Sequence, residues 1–298
     1  MAEAYSDFAS VYDELMDATP YEEWTERIVQ LIREYGKSKP HERPESLEKT
    51  MGETAGKAFD KVQDELDEDA ILASERDLVV ELGCGTGTLS EMLYQKGFDV
   101  IGIDNSEAML EKAMEKRDAS GSEILYLLQD MRELSLYSTV GTVVSVCDSV
   151  NYVLEEEELL QVFSLVNNYL FPGGVFIFDF NTDYKYREVI GDAVIAENRE
   201  DCSFIWENYY DPEGRINEYD LTMFLRRDGE LFERVTETHL QRGYEPAEIR
   251  ALLEQAGLEV VLMRDADTDA DVRDVSERVY VVAREVRKQE ALRGEVEK

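Results

Sequence analysis

Apolar residues recur at two different spacings along this chain, and the change of spacing divides it. Phe8, Val11, Tyr12 and Leu15 follow i, i+3, i+4, i+7, which predicts an amphipathic helix. Trp24, Ile28, Leu31, Ile32 and Tyr35 predict a second, stopped by Gly36 and the Lys-Pro and Arg-Pro steps up to Pro44. Helical spacing returns at Leu47, Met51, Phe59, Val62 and Leu66, in a stretch that is otherwise charged. From 78 to 180, short apolar runs alternate with helical patterns. The runs at 78–80, 98–104, 124–128, 143–147 and 175–180 read as strands, and such alternation predicts a parallel sheet with right-handed crossovers. The helix between the last two, over 155–170, opens on glutamates favoured at a helix N-terminus and stops at Pro172-Gly173-Gly174. Residues 202–241 then alternate in period two, with turn signals at 211–214 and Asp228-Gly229, which predicts an antiparallel β-meander. A helix over 246–256, strands at 258–263 and 279–283 and a charged tail complete the pattern.

Polar residues gather where the predicted strands end. The first strand runs into Glu81-Leu82-Gly83-Cys84-Gly85-Thr86-Gly87-Thr88. Three alternating glycines let a ligand lie against bare backbone, and amides at a helix start favour an anionic group. A nicotinamide loop reads G-x-G-x-x-G; here the third glycine comes one residue early and Thr88 takes its place, which counts against an oxidoreductase. Glu81 points instead to a ligand carrying an ammonium group. Asp104, ending the second strand, can accept both hydroxyls of a ribose or can simply cap a helix. Ser106 is placed to N-cap the helix after it. The third strand leads into Gln129-Asp130-Met131 and the fourth into Asp148-Ser149-Val150-Asn151-Tyr152. Polar groups at successive carboxyl ends surround one crevice, the place where open α/β sheets bind ligands.

The spacing Glu-x-Gly-x-Gly-x-Gly resembles motif I of the class I S-adenosylmethionine-dependent methyltransferases. The opening Tyr5-Ser6-Asp7-Phe8 to Met16, then Tyr21 to Trp24, is similar to the entry segment of bacterial small-molecule enzymes of the YqeM-like type. Cys147-Asp148-Ser149-Val150-Asn151-Tyr152, Phe178 to Thr182, Ile205 to Asn208, Glu237 to Tyr244 and Ser276-Glu277-Arg278 fit that group too. More distantly the chain resembles amino-sugar N-methyltransferases, which share the Val-Tyr-Asp entry. The resemblance spans nearly everything except 36–76.

It implies one methyltransferase domain over 1–298: an α/β, Rossmann-like seven-stranded sheet with helices on both faces and an antiparallel β-meander lid. Its parts would be N-terminal lid helices (1–35), a helical insertion (36–76), a cofactor-binding core (77–182), the meander lid (183–242), a final helix and antiparallel strand pair (243–285) and a charged tail (286–298). S-adenosylmethionine is the implied cofactor. Gly83, Cys84, Gly85 and Gly87 would approach its methionine part, Glu81 its ammonium, Asp104 its ribose and Asp130 with Met131 its adenine, with Asn105 and Met109 also touching the cofactor. Tyr12 and Tyr21 would close over it, or belong to the core. Cys147 either lines the pocket or is a small buried strand residue. Asp148, Asn151 and Tyr152 would meet substrate just past strand four, with Trp206 and Glu237 reaching it from the lid. Tyr152 is a catalytic candidate by its place just past strand four, although some related amino-sugar enzymes carry histidine there, a departure that leaves the base at that position open. His239 is the other: on a strand it shares a face with Glu237 and Gln241, so Glu237 could orient it as a general base, unless that face looks outward.

Composition narrows the picture. The chain has 298 residues, 43% of them hydrophobic, and a net charge of −36. That charge repels a phosphate backbone and an anionic membrane surface alike. It serves solubility or salt tolerance, or attracts a cationic substrate. Three cysteines and two histidines without ligand spacing argue against a metal site. The first residues do not read as a secretion signal and no apolar run reaches membrane-spanning length, so a reduced cytoplasm is the expected home. Absence of Asn-Pro-Pro-Tyr or Asp-Pro-Pro-Tyr after strand four counts against methylation of nucleic-acid bases. The expected activity is in-line methyl transfer to nitrogen or oxygen of a small molecule, with the oligomeric state left open. Two rivals remain: a protein methyltransferase with an open lid groove, and a non-catalytic cofactor-binding regulator or assembly subunit using 36–76 as a docking segment.

Overall fold

Strand β1 (Val79–Leu82) is buried on both faces, and that burial sets the architecture around it. The structure, a computed structural model, describes residues 8–41, 68–227 and 229–288. Most of the expected 36–76 insertion and the last ten residues of the expected tail lie outside the described residues. Before β1 come a one-turn helix α1 (Tyr12–Leu15), α2 (Tyr21–Tyr35) and α3 (Glu68–Asp77); after it come α4 (Thr88–Gln95), β2 (Val100–Asp104), α5 (Glu107–Ser120), β3 (Leu125–Leu128), β4 (Val140–Ser145), α6 (Glu156–Tyr169) and β5 (Leu170–Asn181). The remaining elements are β6 (Val194–Asn198), β7 (Cys202–Asp211), β8 (Ile216–Arg226), β9 (Phe232–Arg242), α7 (Pro246–Gln255), β10 (Leu258–Asp265) and β11 (Arg278–Glu285).

Seven strands form one sheet in the order β10-β11-β5-β4-β1-β2-β3, and β6 to β9 form a second sheet in sequence order. In the large sheet β11 runs antiparallel to both neighbours, while β5, β4, β1, β2 and β3 pair in parallel. Because successive strand side chains point to opposite faces, each face carries its own core. Val80 and Leu82 join Phe163, Phe176, Phe178 and Phe180 on the face covered by α6 and α7. Val79 joins Ile28, Leu31, Leu89 and Leu93 on the face covered by α2 and α4. The Phe176 and Phe178 rings stack at 4.5 Å.

Several boundaries differ from the expectation. The first predicted helix is instead a 3-10 turn (Phe8–Ser10) followed by α1. Its apolar side chains Phe8, Val11 and Leu15 pack on the inner face of the second sheet, against a cluster containing Tyr219, Leu221 and Met223. A sheet face, unlike a groove between helices, imposes no continuous helical stripe on what covers it. Strand β4 ends at Ser145, so Cys147 and Asp148 sit in a turn with φ of 57° and 51°. Strand β5 starts at Leu170: the Pro-Gly-Gly segment is absorbed into the strand through a register irregularity rather than ending as a loop. The meander has a fourth strand, β6, preceded by a π-helix (Lys185–Ile190). Every residue of β6 is exposed, so it carries no hydrophobic alternation to read.

Asn151, expected to bind substrate, is fully buried. Its Nδ2 donates to the carbonyls of Asn181 (2.8 Å) and Arg242 (2.7 Å), and its Oδ1 accepts from the Asn181 amide (2.9 Å). It therefore pins the loop after β4 to the ends of β5 and β9 and does not face the cleft. Asn151→Ala is expected to lower stability by about 2–4 kcal/mol, since it strands three buried backbone groups. Urea melts of both proteins check this; a loss below about 0.5 kcal/mol would contradict the pinning role.

Candidate active site

At the carboxyl end of β1 the backbone turns through Gly83 (φ 70°), Gly85 (φ 52°) and Gly87 (φ 75°), a left-handed region that side chains rarely adopt. A Cβ on Gly83 would also fall 2.4 Å from Ser149 Oγ, and one on Gly87 would fall 2.3 Å from the Tyr126 hydroxyl. At Gly85 nothing lies within 4 Å, because that position looks into open space. Asp104, at the end of β2, fastens the loop: it accepts from the Gly85 amide at 2.8 Å and from the Ser106 amide at 2.9 Å. Burial raises the Asp104 carboxyl, and those backbone donors oppose the shift. Ser106 accepts from the Met109 amide and starts α5 as expected.

The open space is a cleft of about 240 Å³ lined by Gly83, Gly85, Asp104, Asn105, Met109, Asp130, Met131, Cys147, Tyr152 and Tyr12. Ten of the expected cofactor and catalytic residues therefore share one cavity. Gln129 and Ser149, at the strand ends expected to surround the crevice, line it as well, with Arg132, Val153 and Ile103, which were not anticipated. Asp130 does not present a free carboxylate, because Arg132 grips both its oxygens at 2.6–3.1 Å and is itself held by Glu158. The Arg132 guanidinium keeps the Asp130 carboxyl below its ordinary value.

Glu81, Cys84 and Tyr21 belong to a smaller chamber of about 20 Å³ behind the loop, which shares Tyr12, Gly83, Gly85 and Cys147 with the cleft. Glu81 is 2% exposed and accepts a short hydrogen bond from Ser90. Burial pushes its carboxyl up to about 8. The Tyr21 hydroxyl lies 4.0 Å from Cys147 Sγ, and burial raises that thiol to about 12.

Beyond β4 the catalytic candidates come together. Tyr152 Oη is 2.7 Å from the Tyr219 hydroxyl and 3.3 Å from His239 Nδ1, while His239 Nε2 is 3.4 Å from Glu237 Oε2. The Tyr219 ring stacks on the imidazole, with centroids 4.8 Å apart and planes 9° from parallel. Glu237, His239 and Gln241 do share the inward face of β9, and His239 is 1% exposed. His239 stands behind Tyr152 rather than on the cleft wall. Phe8 covers this group from the strap, its amide donating to Glu237 Oε1 at 3.0 Å. Trp206 packs against Tyr219 in the sheet's inner cluster and does not line the cleft. Asp148 accepts from Gln241, and its amide donates to Asp179, which pairs with Arg278. Burial raises the Asp148 carboxyl, opposed by Arg278 and Lys185. Tyr219 had no distinguishing sequence signal beyond its inward position in a period-two run.

Known proteins resemble this chain over most of its length. Residues 79–174 match the family described as "Methyltransferase domain". YqeM of Bacillus subtilis (strain 168), named as a methyltransferase, is 32% identical over 280 residues, 94% of this chain and 96% of that protein. A crystal structure of an S-adenosylmethionine-dependent methyltransferase from Clostridium acetobutylicum ATCC 824 matches with a TM-score of 0.73 at 25% identity, covering 95% of this chain and 99% of that one. The dTDP-3-amino-3,4,6-trideoxy-alpha-D-glucopyranose N,N-dimethyltransferase of Streptomyces venezuelae is 26% identical over 190 residues, 62% of this chain and 77% of that protein. The chain belongs to the YqeM-like family of class I methyltransferases and uses S-adenosylmethionine. The cleft fits that cofactor: it offers bare backbone at Gly85, a carboxylate at Asp104, flat apolar walls at Met109 and Met131, and a buried acid behind the loop.

Glu81 generates a prediction whose sign follows from its raised value. Between about pH 4.5, where an unfolded glutamate ionises, and pH 8, the folded ligand-free protein holds a proton that the unfolded chain has lost, so stability falls as pH rises. A cationic ligand nearby favours the ionised form, so S-adenosylmethionine should bind more tightly as pH rises from 6 to 8 and release a proton on binding. Calorimetry in buffers of different ionisation enthalpy measures that proton. Glu81→Gln should abolish the pH trend, weaken binding and raise the ligand-free melting temperature at pH 8; a pH-independent affinity in the native protein would contradict the assignment.

Proposed function

We propose that the protein methylates a nitrogen or oxygen of a small molecule held between the cleft and the inner face of the β6–β9 sheet. The observation that carries this reading is the enclosure of Tyr152, Tyr219 and His239: they face inward, under the second sheet and the N-terminal strap. A peptide substrate needs an open channel at that point. The relative named as an N,N-dimethyltransferase of an amino sugar supports a small acceptor. The net charge of −36 favours an acceptor that arrives as a cation, such as an amine.

In this reading Gly83, Cys84, Gly85 and Gly87 hold the methionine part of the cofactor, Glu81 its ammonium, Asp104 with Asn105 its ribose, and Asp130 with Met131 and Met109 its adenine. Tyr12, Tyr21 and Cys147 wall the space between. Bound S-adenosylmethionine supplies an electrophilic methyl group whose transfer is thermodynamically downhill. The chain's own residues then have three tasks: hold the acceptor in line, exclude water and take one proton. Positioning of this kind contributes roughly 7–11 kcal/mol. Tyr152 lines the cleft and can take the acceptor's proton at Oη as its own phenolic hydrogen passes to His239 Nδ1, 3.3 Å away, leaving an imidazolium 3.4 Å from Glu237 Oε2. Asp148, half-buried in the same turn, supplies a polar contact to the acceptor, while Gln241 holds Asp148 and Glu237 stands behind His239.

The test uses methyl-labelled S-adenosylmethionine and a cell extract split into low-mass and protein fractions. Label is expected in the low-mass fraction, falling by about 10²-fold with Tyr152→Phe while cofactor affinity stays within twofold. Label in the protein fraction alone would overturn the proposal in favour of a protein substrate.

A further inference from the structure

The N-terminal strap is fastened to the glycine loop at Asp13, by Lys116 and by Thr86 directly. Lys116 Nζ, from α5, donates to Thr86 Oγ1 at 2.9 Å and Thr88 Oγ1 at 2.7 Å, the residues on either side of Gly87. It also pairs with both carboxylate oxygens of Asp13 in α1, at 2.7 and 2.8 Å. Thr86 donates to Asp13 at 2.6 Å and closes the network. This knot lies between two spaces. Inside it is the 20 Å³ chamber, bounded by Thr86 and Thr88; outside it is a surface groove of about 660 Å³ bounded by Asp13 and Lys116. Tyr21 and Thr88 line both.

The chamber has room for about one water molecule. An amino-acid side group of the cofactor does not fit there while the strap holds this position. Tyr12 of the strap lines both the chamber and the cleft, so movement of the strap widens the passage between them, and the contacts that hold it there join it to the loop.

We infer that Asp13 and Lys116 form a latch that sets how fast S-adenosylmethionine enters and leaves, with Lys116 a positioning residue for both strap and loop. The inference rests on the proposed placement of the methionine part at the glycine loop. Both partners are partly exposed, 46% for Asp13 and 30% for Lys116, so the latch is weak enough to open thermally and is open to screening by salt. A weak latch that bears equally on the free and bound protein changes rates more than affinity.

Stopped-flow fluorescence checks it. Trp24 lies 5.6 Å from the Tyr21 ring, at the chamber wall, and serves as reporter. Asp13→Asn and Lys116→Met are each expected to raise the association and dissociation rates by about fivefold, with affinity moved less than twofold. The charge-swapped pair Asp13→Lys with Lys116→Asp should restore slow exchange. Added salt, from about 50 mM to about 1 M, should speed exchange in the native protein but not in Lys116→Met. Unchanged rates in variants that fold and bind would overturn the latch alone, as would a loss of affinity without faster exchange, which would make Lys116 a direct cofactor contact. If the native protein binds the cofactor but Asp104→Ala binds it equally well, the placement at the loop fails, and the latch with it.

Discussion

Two backbone amides share one carboxylate at the centre of this molecule. Asp104 accepts from Gly85 at the end of β1 and from Ser106 at the start of α5, so a single side chain fixes the glycine loop against the neighbouring helix. The loop cannot hold its shape otherwise, since its three glycines stand in a backbone region with many alternatives. Once it is fixed, α4 begins directly after Gly87, Thr86 and Thr88 face Lys116, and the cleft acquires a floor of bare backbone. Charge-assisted bonds to backbone amides are among the stronger hydrogen bonds available, which is why a partly buried carboxylate is tolerated there.

The same economy of buried charge runs through the site. Glu81, Asp104 and Asp148 are all raised by desolvation, and each is opposed by a few donors: Ser90 at the first, backbone amides at the second, Gln241 and two cations at the third. Holding such groups in the fold lowers the stability of the ligand-free protein above the pH at which a free carboxyl ionises. Stability is given up where binding is to occur, a pattern common at functional sites.

Much of this was legible in the sequence, because it rests on local rules. Strand–helix alternation and the glycine spacing located β1, β2, the loop and Asp104, and period two placed Glu237, His239 and Gln241 on one face, which the fold turns inward. What the sequence did not disclose depends on partners far apart in the chain. Asn151 looks like any polar loop residue until β5 and β9 are brought to it. The strap looks helical because its apolar residues recur at helical spacing, yet the surface they meet is a sheet. Trp206 and Tyr219 lie on the same sheet, and only tertiary packing puts the tyrosine against Tyr152 and leaves the tryptophan behind it. Strand β6 is exposed throughout and had no pattern to show.

The proposed reaction needs the reacting end of the cofactor to face Tyr152, inside a space roofed by the second sheet and the strap. A crystal structure with S-adenosylhomocysteine bound tests it most directly. The sulfur is predicted to point toward Tyr152 Oη across a gap that admits an acceptor atom, with the ribose hydroxyls on Asp104 and the second sheet closed above. A sulfur opening onto the outer surface, with Tyr152 turned away, would contradict this placement.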